Sequence, residues 1–312
     1  TINEDWGRFL GYFMGDGSWH KDTLSVVCDA KDDDVVDDVD RLITGLFAAP
    51  QRRTISRVVG RKGAVEVRVG CKPGREVLKE LGCLYRNAGG EGSWKRGVCV
   101  PEAIWRSPKP IVREFLRGLF EADGWTICKG SRWGQSFTKG VGFSTAKEPF
   151  AREVQLLLLG FGINAPIHHR TKIAGDGHEY QQYDMMVGAE GARLFYEEIG
   201  FIGARKGTYL EPYQQRGQYS GRKRQPMCLE DTVLTVEEDG FEVTYDFTIG
   251  DGHLFSANGI LTHNTETEAF RSMLSLYFDA EGLAYGQSNT SLARWVIDDG
   301  AIDQYVLGTV SF

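Results

Sequence analysis

The sequence predicts an α+β protein in which two similar mixed units are followed by an all-β segment. An internal repeat is the first observation: residues 9–17 read FLGYFMGDG and residues 116–124 read LRGLFEADG, each with Gly third and Asp-Gly last. A second matched pair follows in the same order, because residues 29–45 and 145–160 each lead from a short polar start into a helical pattern that ends in Gly. Two matched segments in one order indicate a tandem pseudo-repeat.

Strand patterns separate the predicted helices in both halves. Residues 52–59 and 64–69 flank a Gly-Arg-Lys-Gly turn, and residues 165–173 and 179–187 flank an Ala-Gly-Asp-Gly turn. Each pair of runs predicts a β-hairpin. Each half is therefore expected to be a mixed unit of helices and antiparallel strands.

The character of the chain changes beyond the second repeat. A polar, basic stretch with Gly and Pro predicts a linker, and short β-type runs between Gly-containing turns follow it. After these runs comes a helical pattern at residues 268–278, in a stretch with no chemical signature of its own. The expected boundaries are 1–105 and 106–213 for the two repeats, 214–226 for the linker, 227–264 for the all-β segment and 265–312 for the last piece.

Charge is distributed unevenly along the sequence. The formal net charge is −7, yet residues 52–224 hold 30 Lys and Arg against 17 Asp and Glu, and the other residues hold 6 against 26. A basic body with acidic ends is typical of a DNA-binding unit joined to another element, although a merely basic surface is the alternative. Six cysteines without a CxxC pair, and no long apolar run or secretory signal, predict a reduced cytoplasmic protein without a membrane segment.

Both copies of the repeat place a carboxylate at the end of a predicted helix. Asp16 and Asp123 each precede a Gly that is suited to terminate the helix. If the two helices pack side by side, both carboxylates converge where the helix dipoles add negative potential, which is a natural seat for Mg²⁺ and phosphate oxygens. Small residues four apart would allow that packing, namely Gly11 with Gly15 and Gly118 with Ala122.

These paired motifs resemble those of the LAGLIDADG homing endonucleases, in the single-chain, DOD-type form usual within inteins. The resemblance covers about residues 6–211. It implies two αββαββα units whose four-stranded sheets form a saddle over double-stranded DNA, with Asp16 and Asp123 as Mg²⁺ ligands. It also implies a catalytic lysine in each half, for which Lys95 and Lys206 are the candidates. Met14 stands where the second motif has Glu121, but this position is not the metal ligand.

DNA contacts are expected from the hairpins. Arg and Gln can read base edges in the major groove, whereas Lys mostly contacts phosphates. Alternate residues of a strand share one face, so that a strand presents a row of such side chains. The candidates are Arg53, Arg57, Arg61 and Lys62 in the first half, and His168, Arg170, Lys172, Tyr180 and Gln182, with Asp184 in the same row, in the second.

The run from Tyr245 to Thr265 resembles the C-terminal half of the Hint fold of inteins. Asp246 precedes His253 by seven residues, and His253 precedes Asn264 by eleven, directly after His263. The resemblance implies that the Asn264 side chain attacks its own carbonyl and breaks the bond to Thr265. Imidazole suits the proton transfers of this step at neutral pH, and the hydroxyl of Thr265 suits the preceding acyl transfer. Asp246, by the same resemblance, tunes protons at the transfer step.

An initial Cys or Ser nucleophile and a Thr-x-x-His element are absent ahead of the first repeat. The chain is therefore expected to be a monomeric endonuclease joined to the C-terminal splicing half, capable alone of C-terminal cleavage and needing a separate N-terminal half to splice. Residues 265–312 would be the start of the host protein, the C-extein. The alternatives are a splicing element with a degenerate nuclease, and a non-catalytic nucleic-acid-binding protein of the same fold.

Overall fold

A computed structural model describes residues 2–47, 53–57, 63–86, 94–96, 99–130, 137–175, 177–208, 235, 254–257 and 260–263. The chain divides into two compact units, Thr1–Met227 and Cys228–Phe312. No helix among the described residues is both long enough and apolar enough to cross a membrane.

The first half of the Thr1–Met227 unit follows the order αββαββα. Its first helix begins where the Asn3 side chain accepts a hydrogen bond from the Trp6 backbone N–H, which satisfies a donor at the exposed helix start. The elements are α1 (Glu4–Asp16), β1 (Gly17–His20), β2 (Thr23–Asp29), α2 (Asp33–Phe47), β3 (Arg53–Arg57), β4 (Ala64–Gly70) and α3 (Lys72–Glu80).

A short connection leads into a second half with the same element order. The connection contains β5 (Leu84–Arg86), β6 (Trp94–Arg96) and α4 (Glu102–Trp105). The second half contains α5 (Lys109–Ala122), β7 (Gly124–Gly130), β8 (Phe137–Thr145), α6 (Glu148–Leu159), β9 (Ile167–Ile173), β10 (Glu179–Gly188) and α7 (Ala189–Glu198), and the short α8 (Ala204–Gly207) follows it.

Each half contains one four-stranded antiparallel sheet. The strand orders are β1-β2-β4-β3 and β7-β8-β10-β9, so the second sheet repeats the topology of the first. Helices α1 and α2 pack on the first sheet, and α6 and α7 pack on the second. The predicted mixed fold with antiparallel sheets is confirmed, and the hairpin strands differ from their predicted bounds by a few residues at the ends.

Helices α1 and α5 form the central contact between the halves. A Cβ atom added at Gly7 would lie 2.6 Å from the Ile111 carbonyl oxygen, and one added at Gly11 would collide with the Phe115 carbonyl and lie 2.6 Å from the Leu119 nitrogen. The backbones therefore touch directly, as the small-residue spacing predicts. Apolar side chains around this contact are fully buried and join the two sheets' cores into one, among them Phe9, Phe13, Phe115 and Phe120.

The Cys228–Phe312 unit contains a short antiparallel hairpin. Its strands are β11 (Leu254–Ala257) and β12 (Ile260–His263), with Leu254 paired to His263 and Ala257 to Ile260. The other strands predicted at 232–237 and 241–249, and the helix predicted at 268–278, lie outside the described residues.

Candidate active site and nucleic-acid interface

The ends of α1 and α5 bring Asp16 and Asp123 to one place. Asp16 is the last residue of α1 and Asp123 is the C-cap of α5. The two helices run parallel, and in their last turn a Cβ atom added at Gly15 would collide with the Ala122 Cβ and lie 3.5 Å from the Asp123 nitrogen. Both carboxylates therefore leave the helix pair at its carbonyl end, where the helix dipoles are negative.

The glycine after each of these aspartates has a role different from the predicted one. Gly17 has φ −80° and ψ 154°, an extended conformation that any residue can adopt, so it is not a left-handed helix terminator. A Cβ atom at Gly17 would instead collide with the Phe13 carbonyl oxygen, and one at Gly124 with the Phe120 carbonyl oxygen. Glycine is needed because each following strand folds back against the last helical turn.

Lys206 lies at the end of α5 and is nearly buried. Its Nζ donates hydrogen bonds to the carbonyl oxygens of Phe120 (3.3 Å), Glu121 (2.5 Å) and Gly124 (2.8 Å). Burial lowers the pKa of the Lys206 ammonium below its ordinary value, against the nearby carboxylate of Glu121, which raises it. The lysine predicted to be catalytic is thus bound to backbone carbonyls on both sides of Asp123.

Glu121 is a buried carboxylate that contacts both Lys206 and the backbone of the segment that precedes α8. Its carboxylate accepts hydrogen bonds from the backbone N–H groups of Ile202 (2.8 Å) and Gly203 (2.9 Å), and one oxygen lies 3.9 Å from the Lys206 Nζ. Burial raises the pKa of the Glu121 carboxyl. Sequence reasoning missed this role, although the buried Met14 at the matching position of the first repeat marks Glu121 as an unpaired difference between the halves.

The two aspartates fit a magnesium ion that shares its ligands with a substrate. The described residues contain no group of three or more His, Cys, Asp or Glu side chains that could hold a metal by themselves. Mg²⁺ usually takes one or two carboxylates, with waters and phosphate oxygens as its other ligands. Two carboxylates on touching helix ends are suited to that kind of site.

The second sheet carries the predicted row of polar residues on one face. Direct cross-strand pairs share a face, and β9 pairs with β10 through His168–Asp184, Arg170–Gln182 and Lys172–Tyr180. Met185 and Val187, which lie further along β10 on the opposite face from this row, are buried in the core. The six polar residues therefore lie on the face turned away from the helices, and their contact with DNA stays a prediction.

The first sheet presents a polar row that the sequence analysis did not name. Thr54 pairs with Arg68 and Ser56 with Glu66, and the Arg68 guanidinium is held by Glu66 at 2.5 Å. Thr54, Ser56 and Arg68 are exposed and were missed as candidates, although alternation with the buried Val67 and Val69 could have identified the row.

Several predicted site residues are described only in their backbone or not at all. Arg53 and Arg57 are the register partners of Val69 and Val65, Lys95 of β6 pairs with Tyr85, and His263 is the last residue of β12. The roles of these four residues stay predictions. The residues that lie outside the described part of the chain are Arg61, Lys62, Asp246, His253, Asn264 and Thr265.

Comparison with known protein families finds a match to one segment of this chain. Residues 110–200, which include α5 with Asp123 and the second sheet, match the LAGLIDADG-like domain. A crystal structure of I-DmoI in complex with DNA and Ca aligns with 68% of this chain and 98% of its own, at 14% identity and a TM-score of 0.43.

Two curated relatives are much longer than the matching segment. A DNA polymerase of Thermococcus hydrothermalis is 31% identical over 174 residues, which are 54% of this chain and 10% of the polymerase. A replicative DNA helicase DnaB of Rhodothermus marinus is 25% identical over 350 residues, which cover 89% of this chain and 36% of the helicase. The chain thus spans about a tenth to a third of these relatives.

Proposed function

We propose that the Thr1–Met227 unit is a site-specific endonuclease that cuts both strands of DNA. The convergence of Asp16 and Asp123 at the end of the α1–α5 pair carries this proposal. Each half contributes one carboxylate and one four-stranded sheet, which suits the two strands of a duplex. Asp16 and Asp123 would hold Mg²⁺, which would activate water and stabilise the leaving oxygen in phosphodiester hydrolysis.

Within this site, we assign Lys206 a positioning role. Its Nζ is bound to the carbonyls of Glu121 and Gly124, the two neighbours of Asp123 in the chain. The lysine therefore orients the backbone that carries the Asp123 carboxylate and reduces the negative potential of the helix end. Lys95 remains the candidate for a catalytic lysine in the first half.

The test is DNA cleavage by matched aspartate variants. The substrate is a linear duplex that carries the host coding sequence without the segment that encodes the proposed intein, incubated with Mg²⁺. Asp16→Asn and Asp123→Asn should each lower the cleavage rate about 10²-fold or more, because each removes a charged metal ligand. Asp5→Asn, at the opposite end of α1, is the control and should cut normally. Undiminished cutting by Asp16→Asn contradicts the nuclease assignment.

We further propose that residues 227–264 are the C-terminal splicing segment of an intein. Two observations support this. Asp246, His253 and Asn264 have the spacing on which the resemblance to the Hint fold depends, and Asn264 directly follows the last residue of the β11–β12 hairpin. The chain also matches minor parts of proteins as unlike as a polymerase and a helicase, as an inserted element would.

The proposed cleavage uses only groups of this chain. The side-chain nitrogen of Asn264 bonds to its own carbonyl carbon, a succinimide forms, and the amide bond to Thr265 breaks. The Asn264 amide nitrogen loses one proton as the ring closes, and the leaving amine of Thr265 takes one from imidazole, which the lost proton replaces; His263 and His253 are the candidates for this imidazole. When an N-terminal splicing half is supplied, mass spectrometry should detect a ligated host product with the wild type and none with Asn264→Ala. Equal ligation by both proteins contradicts the proposal.

A further inference from the structure

The polar face of the second sheet contains one carboxylate in its row of predicted DNA contacts. Asp184 lies on β10, a central strand of the sheet, and is the register partner of both His168 on β9 and Ser144 on β8. It is 9% exposed, whereas Arg170 beside it is 64% exposed in its side chain. A carboxylate without partners at this position would repel DNA phosphates, so the role of Asp184 depends on the side chains that contact it.

Three side chains converge on the Asp184 carboxylate. The Ser144 hydroxyl donates to Oδ1 at 2.7 Å, the Gln182 amide donates to the same oxygen, and the Arg170 Nε lies 3.5 Å from Oδ2. Burial raises the pKa of the Asp184 carboxyl, but the hydrogen bonds from Ser144 and Gln182 outweigh it and the net pKa is lowered. The group is therefore a charged acceptor at neutral pH.

A tryptophan supports this cluster from the neighbouring strands. The Trp125 Nε1 donates to the Ser144 hydroxyl oxygen at 3.4 Å. Its indole lies against the sheet over Gly142, where an added Cβ atom would collide with the ring. Trp125, Ser144 and Asp184 thus form a continuous chain of contacts across β7, β8 and β10, ending at Gln182 and Arg170.

The part of Arg170 that is engaged determines what it can bind. An arginine reads guanine by donating from its two terminal nitrogens to O6 and N7 in the major groove. Asp184 approaches Nε, the nitrogen at the stem side of the guanidinium, and no residue in the described part of the chain forms an ion pair with the two terminal nitrogens. Holding the fork in one orientation reduces the conformational entropy lost on binding.

We propose that Asp184 is a positioning residue for sequence reading, which holds Arg170 through Nε and orders the Gln182 amide so that Arg170 presents its terminal nitrogens to a guanine in the major groove. This inference rests on the proposed DNA-binding function of the unit. It adds to that function the base that is read, guanine, and the two residues responsible, Arg170 and Asp184.

The test is selection from a pool of randomised DNA duplexes, with full-length protein in which Asp16→Asn and Asp123→Asn prevent cutting. On this background, Arg170→Lys should lower the guanine preference at one position of the selected sequences about tenfold, because Lys lacks the fork. Asp184→Asn should lower the preference at the same position, and the two changes together should lower it no further than Arg170→Lys alone. Binding to unselected duplex should stay within about threefold, since phosphate contacts are untouched.

Glu179→Gln is the matched control. It removes one negative charge from the same strand on the opposite face, and it should leave the selected sequences unchanged. A guanine preference that survives Asp184→Asn, or that falls at a position insensitive to Arg170→Lys, overturns the inference while DNA binding stands. Failure of the background protein to enrich any sequence overturns the proposed function itself. Arg170→Lys changes an exposed side chain, so its result does not depend on refolding of the sheet.

Discussion

At the scale of single residues, the α1–α5 pair depends on one buried carboxylate. Glu114 of α5 accepts hydrogen bonds from the Arg8 Nε at 2.6 Å and from the Arg117 Nη1 at 2.7 Å, and Arg8 also reaches Asp38 of α2 at 3.2 Å. Glu114 is 5% exposed, so its charge is compensated by partners rather than by water. Removal of Glu114 takes one acceptor from each of the two guanidinium groups, although Arg8 keeps Asp38 and Arg117 keeps the Ile199 carbonyl.

Glu114→Ala is expected to lower the free energy of unfolding by about 2–4 kcal/mol, because it breaks a largely buried ion pair between the halves. The matched control is Glu102→Ala, which removes an exposed partner of Arg106 on α4 and should cost less than about 0.5 kcal/mol. Urea unfolding monitored by tryptophan fluorescence measures both. Equal small losses would show that the Arg8–Glu114 contact contributes little to stability.

The cysteines provide a second prediction at this scale. Burial, with help from the nearby Asp16 charge, raises the pKa of the Cys28 thiol to about 12, and burial also raises that of Cys83. At pH 8 the thiolate fraction of Cys28 is therefore about 10⁻⁴, and only thiolate reacts with iodoacetamide. Exposed Cys99 should be alkylated within minutes, while Cys28 and Cys83 stay unmodified until the protein unfolds. Peptide mass spectrometry locates the label, and rapid labelling of native Cys28 would contradict its burial.

At the scale of elements, the close approach of α1 and α5 depends on the absence of side chains. Gly11 faces the Phe115 carbonyl and the Leu119 nitrogen, and Gly118 faces the Arg8 carbonyl. Both neighbours are backbone atoms of helices, which cannot move aside as a flexible side chain can. The spacing of the two helix ends, and with it the spacing of Asp16 and Asp123, follows from these contacts.

Gly11→Ala is therefore expected to destabilise the unit by about 3 kcal/mol or more, since the added methyl group forces the helices apart. The control is Gly45→Ala in α2, where an added Cβ atom meets nothing within 4 Å. There alanine should stabilise the helix by about 0.5–1 kcal/mol through its higher propensity. Thermal melts followed by circular dichroism should shift in opposite directions, and a shared direction would contradict the packing described here.

At the scale of the Thr1–Met227 unit, the halves exchange contacts beyond the helix pair. Arg205 in α8 donates to both carboxylate oxygens of Asp32, at 2.6 and 2.5 Å, and the Ala204 nitrogen donates to Asp34 at 2.7 Å. In the other direction, the Val100 nitrogen donates to Glu153 of α6 at 2.5 Å. The segment that ends each half is thus bound to a helix of the other half.

Because of these exchanged contacts, Asp32→Ala is expected to lower the stability of both halves together, by about 2–3 kcal/mol. Hydrogen exchange should show amides of β2 and β8 losing protection in one transition, whereas Asp37→Ala, an exposed position of α2, should change it little. Persistent protection in β8 after β2 has opened would mean that the halves unfold independently.

The sequence by itself was sufficient for features that depend on local periodicity. The repeat at residues 9–17 and 116–124 predicted two helices with paired small residues, and alternation predicted the strands of both hairpins. Asp16 and Asp123 were found because each copy repeats the same short motif, which needs no knowledge of distant contacts. The Asp246–Thr265 pattern is of the same kind, and it stays a prediction.

Only the tertiary structure decided which of those residues are held by others. Lys206 contacts carbonyls 82 to 86 positions earlier in the chain, and Asp184 meets Ser144 across 40 positions. The positions of the glycines after the aspartates were predicted correctly, but their role was not. Glycine is required there because a side chain would collide with the preceding helical turn, and not because the backbone has left-handed torsion angles. Periodicity indicates which face a side chain occupies, but its partners there depend on how helices and strands distant in the chain pack together.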